Sequence, residues 1–148
     1  MFLAKRARPD ISVGTSFLRT RVLRSNGDDW EKLVRLVSHL KNTTEIVLCL
    51  EADDVQELKW YVEVSFGTHN DMKGHTRSIF TLGNGAIWDD STKQKENTRS
   101  STKAELISID EKTSKIIWMN RFIESQGFKI DLNILYKDNV STINFAKN

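Results

Sequence analysis

The sequence predicts a mixed α/β fold. Three antiparallel strands, one long helix, a fourth strand of the same sheet and a short closing helix follow a helical N-terminal segment. Three observations carry this. Residues 58–66 alternate, with Trp60, Val62, Val64 and Phe66 on one side and Tyr61, Glu63 and Ser65 on the other, which is the period of a half-buried strand. Asn84-Gly85 stands between two strand-like runs, 76–82 and 86–91, and that dipeptide is a strong hairpin signal. Residues 98–126 hold the longest helical pattern: Ile109, Ile116, Met119 and Ile123 follow Glu105 at steps of four, eleven, fourteen and eighteen. One face of that helix should therefore pack on the sheet. Successive strands, a helical crossover and a further strand give a mixed sheet.

Composition bounds the reading. With 39% hydrophobic and 28% charged residues, the chain can bury a core and need not stay disordered. Its 148 residues suit one ordinary domain, or a small domain with a fragment. No apolar run reaches membrane length, and none follows the N-terminal basic residues as a signal peptide requires. The single cysteine, Cys49, excludes an internal disulfide and sits in an apolar run. We expect a buried thiol in a cytoplasmic or nuclear protein, not a secreted one. A net charge of +2 does not by itself point to nucleic acid. The distribution says more. Lys5, Arg6, Arg8, Arg19, Arg21 and Arg24 face only Asp10 within residues 1–24, and Lys93, Lys95, Arg99 and Lys103 face only Glu96 within 93–103. Each stretch is either a phosphate-facing surface or a solvated basic face.

In chain order, Met1 to Ala7 is short and mixed. Pro9 can open a helix, since its missing N–H is not needed there. Ile11, Phe17, Leu18 and Val22 give a helical pattern weakened by Gly14. Asn26-Gly27 breaks the chain, and Asp28 with Glu31 has capping-box spacing. Trp30, Leu33, Val34, Val37 and Leu40 form an apolar stripe, so 11–24 and 29–41 read as paired helices. Glu45 to Leu50 reads as a buried strand. Glu51 to Glu57 reads as an acidic linker whose Asp53-Asp54 pair is solvated. This linker is the expected boundary between a helical piece, residues 1–50, and the domain proper, 58–148. In the polar loop 67–74, His69 lies six residues before His75 without cysteine partners. That is no zinc spacing, and both read as loop histidines. Ser101 or Thr102 is the expected N-cap of the long helix, and Gly127 its stop. A strand over 132–137 ends at Asp138, and 139–146 can form a short helix.

Acids then stand on the first strand (Glu63), early in the long helix (Glu105) and after the last strand (Asp138). If that last strand lies beside the first, the three can converge. Hard oxygen ligands suit Mg²⁺, and two such ions can activate a water and stabilise the leaving oxygen of a phosphodiester. The alternative is three ordinary surface acids.

The ordered set of pieces resembles a known family. Arg8-Pro9-Asp10-Ile11, Asp29-Trp30, His39-Leu40-Lys41-Asn42-Thr43, Lys93-Gln94-Lys95, Thr98-Arg99-Ser100-Ser101-Thr102, Ala104-Glu105 and Asp138-Asn139 look like the Pol polyprotein of copia-type retrotransposons. The resemblance implies that residues 1–50 are the end of a reverse transcriptase region. It implies that 58–148 are most of a ribonuclease H (RNase H)-like domain, its fourth strand parallel to its first. Such a domain removes RNA from RNA–DNA hybrids with two Mg²⁺ ions. Its expected partners are the hybrid and the remainder of the polyprotein, with no membrane.

Carried over by position, Glu63, Glu105 and Asp138 would be the catalytic, metal-binding acids. In an inactive remnant, Lys93, Lys95, Arg99 and Ser101 would still hold nucleic acid, the last beside free N–H groups of the helix N-terminus. Several departures stand against full activity. Glu63 is one methylene longer than the family's aspartate, Lys103 replaces an acid, and Arg77 replaces a glycine. The sequence ends at Asn148, before the family's fifth strand and last acid. A reacting group misplaced by ~1 Å costs on the order of 10²-fold in rate. The resemblance therefore implies an impaired or inactive copy. The alternatives are an inactive nucleic-acid-binding remnant or a small α/β interaction domain.

Overall fold

A computed structural model describes residues 2–52 and 56–147. Three helices come first: α1 (Phe2–Arg6), α2 (Ser12–Arg21) and α3 (Gly27–Asn42). Then follow β1 (Glu51–Ala52), β2 (Glu57–Ser65), β3 (His75–Thr81), β4 (Gly83–Asn84), β5 (Trp88–Lys93), α4 (Ser101–Ser125), β6 (Leu132–Tyr136) and α5 (Val140–Lys147). The main sheet has the order β5-β3-β2-β6. β3 runs antiparallel to both β2 and β5, while β6 returns parallel to β2. The mixed sheet, its crossover helix and the parallel fourth strand match the sequence expectation.

Side-chain parity on β2 decides where the core lies. Leu58, Trp60 and Val62 share one face and are fully buried, whereas Tyr61 and Glu63 point away and are exposed. Trp60 stacks on Phe80 at 4.6 Å and meets Trp88 edge-on at 5.9 Å. Ile123, Ile116 and Met119 of α4 close over this cluster with Leu135 of β6. Ile109 is only half-buried and lies outside the cluster. The first half of α4 buries Ala104, Glu105, Ser108 and Lys112 instead. The buried face of the helix thus changes from polar to apolar along its length.

Several local expectations are corrected. The N-cap of α4 is Ser100, whose side chain accepts from the Lys103 N–H at 3.2 Å, rather than Ser101 or Thr102. Ser100→Ala should therefore cost about 1 kcal/mol in denaturant unfolding, while Ser101→Ala leaves stability almost unchanged. Gly127, with φ of +91°, does stop the helix. α3 is capped by Asn26 and Asp29, with reciprocal bonds of 3.0 and 3.1 Å, rather than by Asp28 and Glu31. Gly14 has a packing reason: a Cβ there would lie 2.8 Å from Leu36 Cδ1, so the glycine lets α2 and α3 approach closely.

Residues 46–50 form no strand and are mostly exposed, Cys49 included. Strand structure needs a ladder partner, and only the next two residues find one: Glu51 lies opposite Asn84 and Ala52 opposite Gly83. For the same reason Asn84-Gly85 is not a two-residue hairpin. Trp88 pairs with Phe80, and the longer connection between them bends at Gly85, whose φ is +81°. Asp53 and Asp54 fall outside the described residues.

The helical piece is held by Arg8. Its guanidinium donates to both Asp10 oxygens (2.9 and 2.8 Å), to the Thr43 carbonyl (2.9 Å) and to Thr43 Oγ1 (2.7 Å). This bonding, with His39 at 2.7 Å, keeps the Asp10 carboxyl far below the usual carboxylate range despite partial burial. Arg77 of β3 donates to the Pro9 carbonyl at 3.3 Å, and Ser16 of α2 donates to the Ser91 carbonyl of β5. The helices therefore dock on the β3–β5 side of the sheet. No described helix is long and apolar enough to cross a membrane.

Candidate functional site

The parallel return of β6 beside β2 places the end of β6 near Glu63. A cleft of about 180 Å³ opens there, lined by Glu63, Arg77, Glu105 and Asp138 together with Val13, Val64, Ser65 and His75. All three acids singled out in the sequence border it. Glu63 and Asp138 are exposed, whereas Glu105 is buried on the first turns of α4.

The acids share the cleft without gathering into a ligand cage. Among the described residues no group of three or more His, Cys, Asp or Glu side chains could hold a metal ion. Two cations explain the charge balance. Arg77 lies directly across the ladder from Glu63. It also reaches Asp89 at 3.5 Å. Lys137 Nζ donates to the Glu105 carboxylate and to Ser108 Oγ at 3.0 Å. The Lys137 side chain is only 3% exposed, so the partnership is shielded from water. Mg²⁺ requires about six oxygens near 2.0–2.1 Å and gives up its waters reluctantly. One carboxylate bound to an ammonium and another facing a guanidinium do not suit it.

Sequence reasoning missed Lys137, although a signal was present. Strand parity puts residue 137 on the same face as Leu135, which packs on the core beneath α4. It also took His69 and His75 for loop residues. His75 begins β3, and both rings are about 95% buried. A tight turn, in which the Met72 N–H donates to the His69 carbonyl at 2.7 Å, folds His69 back. Its Nε2 then lies 2.9 Å from His75 Nδ1, and His75 Nε2 lies 2.8 Å from Ser91 Oγ. Burial pushes the His75 imidazole down to about 4, helped by His69 and Lys112 and opposed by Asp90. Burial also lowers His69, with a smaller contribution from Lys93.

The expected nucleic-acid residues lie around the N-terminus of α4. Lys93 is paired with Asp71 at 2.7 Å. Lys95, Arg99 and Ser101 are exposed. Buried Gln94 ties this loop down, its amide donating to Thr76 Oγ1 (3.2 Å) and to the Ala104 carbonyl (2.9 Å).

An α/β sheet crossed by one long helix, with an acid-lined cleft where β6 ends, is the class of structure that the chain presents. Over 95% of its length, the chain is homologous to a segment of the retrovirus-related Pol polyproteins of copia-type transposons. It is 32% identical over 143 residues to the retrovirus-related Pol polyprotein from transposon TNT 1-94 of Nicotiana tabacum, covering 11% of that protein. It is 27% identical over 143 residues to those from transposons RE2 and RE1 of Arabidopsis thaliana, covering 10% of each. The chain thus spans about a tenth of the length of these curated relatives. No family model matches it, and no solved structure matches it.

Proposed function

We propose that the chain joins the end of a reverse transcriptase region (1–50), through residues 51–57, which include β1 and the first residue of β2, to an RNase H-like domain (58–148) whose hybrid-cleaving chemistry is impaired. The single observation that carries the reading is the shared cleft of Glu63, Glu105 and Asp138. Three acids from separate elements line one opening because β6 lies parallel to β2 and α4 crosses between them. The impairment follows from the cations beside them. Arg77 and Lys137 oppose the negative charge that a divalent ion needs, so Mg²⁺, the cofactor expected of the family, does not fit this donor set. The partners in this reading are an RNA–DNA hybrid and the rest of a Pol polyprotein.

Exposed Lys95 and Arg99 beside the N-terminus of α4 favour a second role that survives the loss of cleavage, namely holding the phosphate backbone. The test is a Mg²⁺-dependent cleavage assay on a labelled hybrid, run with a binding titration at several salt concentrations. The expected result is no cleavage above background, with binding that weakens as salt rises and weakens further in Lys95→Ala/Arg99→Ala. Cleavage that disappears in Glu105→Ala would overturn the impairment. A chain that neither cleaves nor binds hybrid would be the small α/β interaction domain instead.

A further inference from the structure

We propose that Lys137 is a tethered internal cation that occupies the carboxylate of Glu105 in place of a divalent ion, and that this side chain keeps metal off Glu105. The inference deepens the reading above by naming what blocks the site.

Glu105 is 7% exposed, and a carboxylate so buried must be compensated by charge or hydrogen bonds. Its Oε2 receives Lys137 Nζ. The ammonium is then fixed by Ser108 Oγ at 3.0 Å, and Ser108 in turn donates to the Glu105 carbonyl at 2.6 Å. The three groups form a closed set, and the Lys137 side chain has almost no water contact. Lys137 enters from the end of β6 and Glu105 from the start of α4, so the pair also joins the two elements that frame the cleft.

The arrangement is hard to displace by mass action. A divalent ion would have to remove the ammonium and leave it buried without its counter-charge, which is strongly unfavourable. With Glu105 held by Lys137, no described group of three ligating side chains comes together. Taking away the amine, by contrast, leaves a buried carboxylate that lines the same cleft as two others and lacks its compensating cation.

The test uses Mn²⁺, a paramagnetic substitute for Mg²⁺, with the full chain. Free Mn²⁺ is followed by electron paramagnetic resonance, and thermal unfolding is measured with and without the ion. The unaltered chain should show no saturable Mn²⁺ binding and no metal-dependent rise in melting temperature. Lys137→Ala should gain a saturable site, with affinity raised roughly tenfold or more over the background, and a melting temperature that climbs with Mn²⁺. Lys137→Ala/Glu105→Gln should lose that gain. Lys137→Met keeps the aliphatic stem and carries the same test if the alanine variant does not fold.

A further readout needs no substitution: the ¹⁵Nζ resonance of Lys137 should remain sharp in millimolar Mn²⁺. Saturable Mn²⁺ binding by the unaltered chain, broadening of that resonance, or a folded Lys137 variant that gains no ion would each overturn the proposal. A Lys137 variant that binds Mn²⁺ while the chain ignores RNA–DNA hybrid would instead remove the nuclease-derived reading and leave the internal cation standing.

Discussion

Acidification from pH 7 towards pH 4 is expected to cost the folded chain on the order of 3 kcal/mol through His75 alone. The ring is 4% exposed, and burial first, then His69 and Lys112, hold it down to about 4 from an ordinary value of 6.5. The folded state therefore binds fewer protons than the unfolded chain between those values. The stabilisation is fully present above about pH 6.5 and is lost as pH falls through the window to about 4. His69 is lowered as well and works in the same direction.

The groups around the pair explain why protonation is resisted. Lys93 and Arg21 approach His69 against one acid, Asp71, while Lys112 and Asp90 act on His75. His69 also stacks on Phe17 of α2 at 5.3 Å, so the lost stability should appear partly as loosening of α2 from the sheet. Urea unfolding at a series of pH values measures the slope, and His75→Asn should flatten it. Asp10, Asp29 and Asp71 are all held below their ordinary value of 3.8. Their contributions are lost only at more acidic pH, which separates the two effects.

The second large effect belongs to Trp60. Trp60→Ala should cost roughly 3–5 kcal/mol, because it removes a fully buried ring and leaves a cavity that stacked neighbours cannot fill. Phe80, Trp88, Leu58 and Ile123 all lose their shared partner at that point. Against a typical total stability of about 5–15 kcal/mol, such a change brings the domain close to unfolding in ordinary buffer. Trp60→Phe should be much milder. It keeps the stack with Phe80, and the indole N–H it removes has no hydrogen-bond partner among the described residues. The denaturant midpoints of the two variants distinguish loss of the ring from loss of the donor.

Periodic signals were legible without coordinates. The alternation of 58–66 became β2 and the helical spacing of 98–126 became α4, while the parallel return of β6 was implied by the family resemblance. Signals set by one residue's backbone angles were read less well. Both helix caps fell one or two residues from their expected places, because the cap is decided by where the chain turns into the helix. The apolar run 46–50 misled for a different reason: β-rich composition does not supply a neighbouring strand.

The sequence by itself determined that a mixed sheet with one crossover helix would form; whether Glu63, Glu105 and Asp138 would share one opening it left conditional on the last strand lying beside the first. Periodicity is a local property, and the direction of a strand after a crossover is tightly constrained. Only the tertiary structure decided what those acids face. Lys137 reaches Glu105 across 32 positions, and Arg77 meets Glu63 only through the β2–β3 register. The charge that a carboxylate meets depends on which distant side chains share its low-dielectric surroundings, and spacing along the chain does not contain that information.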